Sequence, residues 1–425
     1  MKTILSKYTS ALLCSMLVLF SCSKDDGADP GPDPVKKAAL VLTTSATEIT
    51  VAQTVTFEVT SDEKAIDADI YVDNTKISGA THTFEVTGTY TAVAKKEGYT
   101  DSKEVEIVVM AEKKKVATAT FTKMNTATYP TTFIGNYYDR ISIMNEHIYV
   151  MEKESQKFRR YSLKADLWED LANGSSLYSG IAGYLTHHKG ANNEDVLVYL
   201  GGGQGKLNIY YPSEYPDATL KDSWISESVM LDDERGERGA ASDGEHIYFM
   251  GNGRYENLSL QIDRYVPAHD LWEERIGYLP ERMGRYTQAV SADKKLFIAG
   301  NNTERELVFI VYDLQTQTTE YKPAPIDIYS VGSTTSENNT MVVYQDYLLY
   351  MLPNKQSAAT SVILYVYDLK NEQWLENFIE IKTDLFSSSS DNASLLLSSS
   401  GKIYAAGTRA GDFVLYEVDF KVTEQ

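Results

Sequence analysis

The chain has 425 residues, of which 43% are hydrophobic and 24% charged, so it is long enough for two or three folded domains and too apolar to be mainly disordered. Its formal net charge of −20 argues against nucleic-acid binding, because phosphate contacts need clustered Lys and Arg side chains. Tyrosine is frequent at 30 copies and proline is rare at 11, which favours an all-β protein.

The N-terminus is organised like an export signal. Lys2 and Lys7 make the start of the chain basic, and the apolar run 11–20 is shorter than the roughly 20 residues that span a bilayer. The sequence LFSC, which ends at Cys22, resembles a bacterial lipobox. This resemblance implies that a signal peptide covering residues 1–21 is removed and that Cys22 is lipidated. An ordinary signal peptide with an incidental cysteine is the alternative.

Residues 22–37 are predicted to form a disordered tether, because DDGADPGPDPVKK is rich in Pro, Gly and Asp. Lys24, Asp25 and Asp26 follow the cysteine directly and resemble the surface-export signal of Bacteroidetes-type lipoproteins. The resemblance implies that the protein is lipid-anchored in the outer membrane and faces the extracellular side. A solvated charged linker is the alternative. With Cys14 lost and the other cysteine lipidated, no thiol remains for a disulfide.

Residues 38–110 contain seven short runs of alternating apolar and polar residues. Turn residues such as Asp73-Asn74 separate these runs. Seven strands in so short a segment predict an Ig-like β-sandwich. The segment resembles the bacterial Ig-like modules near the N-termini of surface lipoproteins, including the GYT sequence at 98–100 before the final strand. The resemblance implies a spacer, followed by a linker at residues 111–115.

Residues 116–425 contain six related units. Their best-marked strands begin 48 to 55 residues apart and read HIYVM, DVLVYLGGG, HIYFMGNG, KLFIAGNN, YLLYMLPN and KIYAAGT. This period matches kelch blades of about 50 residues better than tryptophan–aspartate blades of about 40–45. Three units also place a tyrosine seven residues before a tryptophan, at Tyr161/Trp168, Tyr265/Trp272 and Tyr367/Trp374.

The C-terminal segment therefore resembles the kelch β-propellers, which implies a ring of four-stranded blades. The units number six, or seven if two have been merged. A four-stranded sheet cannot bury both faces alone, so we expect the aromatic pairs to fill the space between neighbouring sheets. The last unit lacks an outer strand. We expect residues 116–124 to supply it, so that the two ends of the segment share one blade.

The kelch resemblance implies that ligands bind over the central channel. The loops that lead into the innermost strands, here called the leading loops, form that face. Arginine beside aromatic rings suits a ligand that bears carboxylates or hydroxyls, through paired hydrogen bonds and stacking. The ligand-binding candidates are Tyr137, Tyr138, Arg140, Tyr178, Arg235, Glu237, Arg238, Arg282, Arg285, Tyr286, Tyr329, Asp384 and Phe386. For Arg282 the alternative is a consensus kelch arginine that pairs with a carboxylate in its own blade.

Several chemistries are disfavoured by the residues. A copper-radical oxidase of the galactose oxidase type needs a cysteine that the propeller segment lacks. The glycine run 201–205 before Lys206 lacks P-loop spacing, so we interpret it as a hairpin turn. His187 and His188 have no third ligand nearby and are predicted to lie in an exposed loop. We expect no catalytic residue, no metal and no cofactor.

These observations predict a non-catalytic surface lipoprotein that binds a small-molecule or glycan nutrient on the propeller face. The resemblance further implies delivery of the ligand to a TonB-dependent outer-membrane transporter. The first alternative is a mutarotase, epimerase or lyase acting on acidic sugars, because six-bladed kelch mutarotases use carboxylate and arginine side chains, roles open to Glu237, Arg235 and Arg238. The second alternative is a protein–protein adhesin or scaffold.

Overall fold

The structure is a computed structural model. It describes residues 37–130, 140–152, 157–171, 184–190, 193–201, 206–212, 223–230, 239–250, 260–269, 271–283, 287–302, 304, 306–325, 340–354, 361–385, 392–409 and 412–425. This part of the chain is all-β apart from one 3₁₀ turn, Pro267–His269. None of its helical segments is long and apolar enough to cross a membrane. The chain divides into two compact units, Met1–Glu112 and Lys113–Gln425. The predicted signal, the lipidation site Cys22 and the export signal lie outside the described residues.

The N-terminal unit consists of two sheets around one hydrophobic core. Its strands are β1 (Val41–Thr44), β2 (Glu48–Thr50), β3 (Thr54–Ser61), β4 (Lys64–Ala65), β5 (Asp69–Val72), β6 (Thr75–Lys76), β7 (Thr81–Thr83), β8 (Gly88–Lys95) and β9 (Val105–Met110). One sheet has the order β1-β3-β4, with β7 also paired to β3, and the other has the order β2-β9-β8-β5-β6. Strand β2 is parallel to β9, and the other pairings are antiparallel.

Alternation along these strands produces that core. In β3 the side chains of Val55, Phe57 and Val59 are buried, whereas the residues between them are exposed. This period of two places one face of the sheet in the core and leaves the other in water. The predicted turn at Asp73-Asn74 is confirmed, with φ of 45° and 64°, the left-handed pair that a tight hairpin requires.

The C-terminal unit is built from sheets of one repeated design. Six such sheets occur among its described residues, and each is an antiparallel array of four strands, with a fifth short strand in one of them. The first three sheets comprise β11 (Arg140–Met144), β12 (His147–Met151), β13 (Phe158–Ser162) and β14 (Leu167–Asp170); β15 (Tyr184–Lys189), β16 (Asp195–Gly201), β17 (Lys206–Tyr211) and β18 (Ser223–Met230); and β19 (Gly239–Ser242), β20 (Ile247–Met250), β21 (Gln261–Val266) and β22 (Leu271–Tyr278).

The fourth and fifth sheets follow the same plan. They comprise β23 (Gln288–Ala292), β24 (Lys295–Asn301), β25 (Leu307–Asp313) and β26 (Thr318–Lys322); and β27 (Met341–Tyr344), β28 (Tyr347–Pro353), β29 (Ser361–Asp368), β30 (Gln373–Trp374) and β31 (Ile379–Lys382). The sixth sheet combines both ends of the unit. It contains β32 (Asn392–Leu397), β33 (Ile403–Arg409), β34 (Asp412–Glu424) and, as its outer strand, β10 (Lys115–Lys123).

The pairing of β10 with β34 confirms the expected closure of the last unit. The two strands are antiparallel along the whole of β10, from Lys115 opposite Glu424 to Lys123 opposite Tyr416. The amide of Asn377, in the fifth sheet, donates to the carbonyl oxygen of Ala117 (2.8 Å) and accepts from its N–H (3.2 Å). The closing strand is therefore held by the sheets on both sides of it.

The first strands of the six sheets form a closed circle. Each contacts the first strand of the next sheet, and β32 of the sixth sheet contacts β11 of the first. The approach is close at Gly239, where a Cβ atom would lie 2.5 Å from the carbonyl oxygen of Thr287. Such a circle of four-stranded sheets is consistent with a propeller-like fold.

Tyrosine–tryptophan pairs recur in four of these sheets. In each pair the two residues lie directly opposite each other on the third and fourth strands, and the tyrosine is buried. The pairs and their ring-centroid distances are Tyr161–Trp168 (5.1 Å), Tyr210–Trp224 (5.3 Å), Tyr265–Trp272 (5.3 Å) and Tyr367–Trp374 (5.1 Å). The three pairs visible in the sequence thus lie on adjacent strands, and the pair in the second sheet is an addition that the seven-residue spacing did not reveal.

Two of the four indole N–H groups connect successive sheets, whereas those of Trp224 and Trp272 are buried with no hydrogen-bond partner among the described residues. Trp168 Nε1 donates to the carbonyl oxygen of Ala127 (3.1 Å), just after β10, and Trp374 Nε1 donates to that of Pro323 (2.8 Å), just after β26. In both cases the acceptor follows the outer strand of the preceding sheet. Trp168 and Trp374 therefore provide both packing within a sheet and hydrogen bonding to its neighbour.

Candidate functional site

A cavity of about 350 Å³ lies inside the circle of first strands. Every one of the six sheets contributes its first strand to the wall, so the cavity lies on the axis of the ring. The lining residues are Ser142, Ile143, Tyr184, Thr186, His187, His188, Lys189, Ala240, Ala241, Ser242, Gly244, Ala289, Val290, Ser291, Met341, Val342, Val343, Leu395, Leu396 and Leu397. Hydroxyl groups and two histidines thus interrupt a wall of small and aliphatic side chains.

Tyr184 connects two sides of this channel. It begins β15 of the second sheet and is buried. Burial raises the pKa of its phenol, whereas a hydrogen bond from the backbone of Ala289 and the positive charge of Arg140 act in the opposite direction. Because Ala289 belongs to the fourth sheet, the phenol of Tyr184 extends from the second sheet to the fourth. This residue and Arg140 both lie where a first strand begins, on the side of the leading loops.

His188 lies toward the opposite end of the same strand. Its side chain is only 2% exposed, and its Nδ1 lies 2.7 Å from Ser242 Oγ in the third sheet. Burial lowers the pKa of His188 to about 4, with a further contribution from His187. The ring is therefore neutral at physiological pH. No residue in the described parts of the chain offers a hydrogen bond to its Nε2.

The prediction that His187 and His188 occupy an exposed loop is wrong. Both residues lie within strand β15 (Tyr184–Lys189), and His188 is buried. His187 Nε2 and Lys189 Nζ each lie 2.6 Å from a carboxylate oxygen of Asp195. The channel end of the second sheet thus carries a compact polar cluster. No group of three His, Cys, Asp or Glu side chains in the described ranges is arranged to hold a metal ion.

Most of the predicted ligand-binding residues lie outside the described residues. These are Tyr137, Tyr138, Tyr178, Arg235, Glu237, Arg238, Arg285, Tyr286, Tyr329 and Phe386. Their assignment stays a prediction.

Three predicted residues are described, and they occupy different environments. Arg140 is buried at the start of β11, beside Tyr184. Arg282 is partly buried and precedes Met283, which forms an isolated bridge to Asn302, just after β24 of the fourth sheet. Asp384 contacts Lys123 Nζ (2.5 Å) and accepts the hydroxyl of Tyr416 (2.6 Å) on the two outer strands of the sixth sheet. Of the three, Arg140 is the one brought next to a channel-lining side chain.

A buried charged network lies in the first sheet, beside the segments that flank its leading loop. Arg159 Nη1 donates to the carboxylate of Glu152, which also accepts the hydroxyl of Tyr129. Arg159 Nε donates to Asp170 (2.5 Å), and the guanidinium lies 5.2 Å from the centre of the Tyr129 ring. Arg159 and Glu152 are both essentially inaccessible to solvent. Sequence reasoning missed this network, because FRRYS reads as an ordinary polar strand.

Comparisons with known proteins add only a general likeness in fold. No protein-family model matches the chain, and no curated protein matches its sequence. Among solved structures, that of YjhT is 13% identical, with a TM-score of 0.47, covering 71% of this chain and 99% of that one. An auxiliary nutrient binding protein from Bacteroides ovatus is 11% identical, with a TM-score of 0.42 and coverages of 90% and 98%. The PQQ-bound aldose sugar dehydrogenase from Streptomyces coelicolor is 9% identical, with a TM-score of 0.47 and coverages of 72% and 99%. Likeness at these TM-scores carries no argument about what this chain binds.

Proposed function

We propose that this chain is a lipid-anchored, non-catalytic capture protein of the bacterial cell surface that binds a small-molecule or glycan nutrient on the axis of a six-bladed, kelch-like propeller. The observation that carries the proposal is the closed circle of six first strands around a cavity of about 350 Å³. Small ligands bind preferentially in concave sites where several elements converge. The axis is the place in this unit where all six sheets meet.

The leading-loop side of the channel supplies the chemistry for capture. Arg140 and Tyr184 lie together at that end. The candidates predicted for the leading loops are rich in tyrosine and arginine, which stack on sugar rings and bind hydroxyl or carboxylate oxygens. We assign contact with the ligand to Tyr137, Tyr138 and the arginines of the leading loops.

The proposed anchoring rests on the sequence. Cys22 is the lipidated residue, Lys24, Asp25 and Asp26 direct the protein to the outer face of the outer membrane, and the N-terminal unit is an Ig-like spacer. A TonB-dependent transporter is the proposed recipient of the ligand. Metabolic labelling with palmitate tests the anchor: we expect the wild type to be labelled and Cys22→Ser to be unlabelled. Protease treatment of intact cells should degrade the wild-type protein, and full protection would contradict the surface location.

Binding itself is tested by calorimetric titration of the full chain with panels of glycans and metal chelates. We expect saturable heat for at least one compound, without turnover. Tyr137→Ala combined with Tyr138→Ala should weaken that binding. Tyr321→Ala is the matched control, because Tyr321 is 52% exposed on an outer strand, away from the axis. Turnover of an acidic sugar would indicate an enzyme instead, and no heat from either panel would favour a scaffold.

A further inference from the structure

The N-terminal unit contains a cavity of its own, with a volume of about 540 Å³, here called the N-terminal cavity. Three parts of the unit form its wall: strand β5 with the turn that follows it, strand β8, and the segment between β8 and β9. The lining residues are Tyr71, Asp73, Asn74, Thr91, Val93, Lys95, Asp101, Ser102 and Glu104. Small-ligand pockets typically measure about 300–1,000 Å³, so the cavity has space for a sugar ring.

Two of these wall segments are fixed to β8 by pairs of hydrogen bonds. In the turn after β5, Asp73 donates its N–H to the carbonyl oxygen of Thr91 and accepts the N–H of Thr91 on Oδ1, both at 2.9 Å. In the segment after β8, Ser102 is buried. Its Oγ accepts the N–H of Ala94 (2.9 Å), and its N–H donates to the carbonyl oxygen of Ala94 (3.0 Å). The cavity is therefore preorganised, which lowers the entropic cost of binding a ligand.

The charges of the lining disfavour an anionic ligand. The lining contains three carboxylates, those of Asp73, Asp101 and Glu104. Lys95 is the cationic side chain among the lining residues, so the formal charge of the lining is −2. An added negative charge would therefore be repelled. These carboxylates do not belong to any group of three that could hold a metal ion among the described residues.

Lys95 occupies the place that the cationic group of a ligand would take. Its Nζ lies 5.1 Å from the centre of the Tyr71 ring and 3.9 Å from Asp101 Oδ2. A ligand ammonium would have to compete with this side chain for the aromatic ring and the carboxylate, whereas an uncharged ligand would not. The ligand expected in the cavity is therefore neutral.

The remaining polar groups of the lining suit a ligand that carries hydroxyl groups. Among the described residues, the side chains of Asn74 and Glu104 form no hydrogen bond or ion pair with another residue. A carboxylate accepts hydrogen bonds, an amide both donates and accepts them, and a hydroxyl group can pair with either. Tyr71 and Val93 are half-buried and add apolar surface for C–H groups. The cavity thus matches a molecule with hydroxyl groups on a carbon ring.

We propose that the N-terminal cavity binds a neutral sugar, with Glu104 accepting hydrogen bonds from ligand hydroxyl groups and Asn74 donating one to a ligand oxygen. The N-terminal unit is then a sugar-binding module as well as a spacer. The inference does not rest on the axial site, because every lining residue belongs to the N-terminal unit.

The first test is calorimetric titration of the full chain with galactose, glucose and N-acetylglucosamine. Glucuronate is the anionic comparator and cadaverine the cationic one. We expect at least one neutral sugar to bind about tenfold more tightly than either comparator. Tighter binding of cadaverine or glucuronate than of every sugar, or no binding of any sugar, overturns the proposal.

Variants of the lining locate the binding. Asn74→Gly removes the amide, and glycine suits the left-handed φ of 64° at this turn position, so the hairpin should be retained. Glu104→Gln removes the charge of an exposed side chain. We expect each variant to weaken sugar binding about tenfold. Glu58→Gln is the matched control, because Glu58 is exposed on β3 of the other sheet, and it should leave binding within about twofold of the wild type.

The outcomes separate this inference from the proposed function. Sugar binding that Asn74→Gly and Glu104→Gln leave unchanged overturns the inference, and its loss in Tyr137→Ala combined with Tyr138→Ala would then support the axial site. Sugar binding that weakens in the two lining variants, but not in the tyrosine variant, supports the inference and counts against the axial site.

Discussion

The two units of the chain bury their sheets in different ways. In the N-terminal unit two sheets cover one another, so β3 alternates between buried and exposed residues. In the C-terminal unit each sheet packs between two others, and all five residues of β11 are buried. The first arrangement is complete with two sheets, whereas the second is complete only when the circle closes. We therefore expect the loss of one contact to destabilise the first unit locally, whereas the loss of one contact in the second unit can destabilise the whole circle of sheets.

The largest effect on folding is expected from removing the closing strand, β10. A chain of residues 113–425 should fold, because it retains β10, whereas one of residues 126–425 should not. The shorter chain leaves the edge of β34 unpaired and removes the contacts of Ala117 with Asn377. Circular dichroism and calorimetry provide the measurement. A cooperative transition in the shorter chain would show that closure is dispensable.

The next largest effect is expected from the buried network of the first sheet. Arg159→Met removes the inaccessible guanidinium that pairs with the buried carboxylate of Glu152, and should lower the free energy of unfolding by about 3–5 kcal/mol. Arg160→Met is the matched control, because its partner Glu169 is 43% exposed and can be hydrated. Chemical denaturation compares the two. Equal losses of unfolding free energy in the two variants would mean that burial of an ion pair does not determine its contribution to stability.

His188 should make the C-terminal unit sensitive to mild acid. Its pKa is lowered to about 4 in the folded protein, from about 6.5 when unfolded. Between these values the unfolded chain binds one more proton, so stability is lost as the pH falls through this window. The maximum loss is about 3 kcal/mol, at about 1.4 kcal/mol per pH unit. The melting temperature of the wild type should fall more steeply from pH 7 to 4 than that of His188→Gln. Equal falls would contradict the lowered pKa of His188.

The smallest effects are expected at two adjacent lysines, Lys115 at the start of the closing strand and Lys114 just before it. Lys115 contacts Asp368, a fully buried carboxylate, whereas Lys114 contacts Glu376, which is 77% exposed. Burial alone would raise the pKa of Asp368, but Lys115 and nearby backbone N–H groups outweigh it, so the pKa lies below its ordinary value. Lys115→Met should cost about 2 kcal/mol, and Lys114→Met less than about 0.5. A larger loss of unfolding free energy for Lys114→Met than for Lys115→Met, measured by denaturation, would contradict this expectation.

The repeat and its closure could be predicted because they depend on local pattern. The spacing of the strands, the turn residues and the seven-residue Tyr–Trp interval are all visible in the sequence. The pair Tyr210–Trp224 escaped because the longer connection 212–222 separates its two strands. The seven-residue interval therefore misses this aromatic pair, although its unit keeps the period of about 50 residues.

The site was less predictable, for physical reasons that particular residues make clear. Strand β15 reads YLTHHK, without clear alternation, because its residues face a channel and two neighbouring sheets rather than one core. Burial of His188 depends on Ser242, 54 residues away. Glu152 lies only seven residues before Arg159, just after the adjacent strand, but nothing in the pattern FRRYS indicates that both side chains are buried. The partner of His188 is set by the packing of one sheet against the next, which no local window of the sequence contains.

The central claim is that ligand binds on the axis of the ring. The most direct measurement is a crystal structure of the full chain with the compound that calorimetry identifies. We expect its density within the circle of first strands, on the side of the leading loops. Density on the outer strands of the sheets, or on the N-terminal unit alone, would contradict the account.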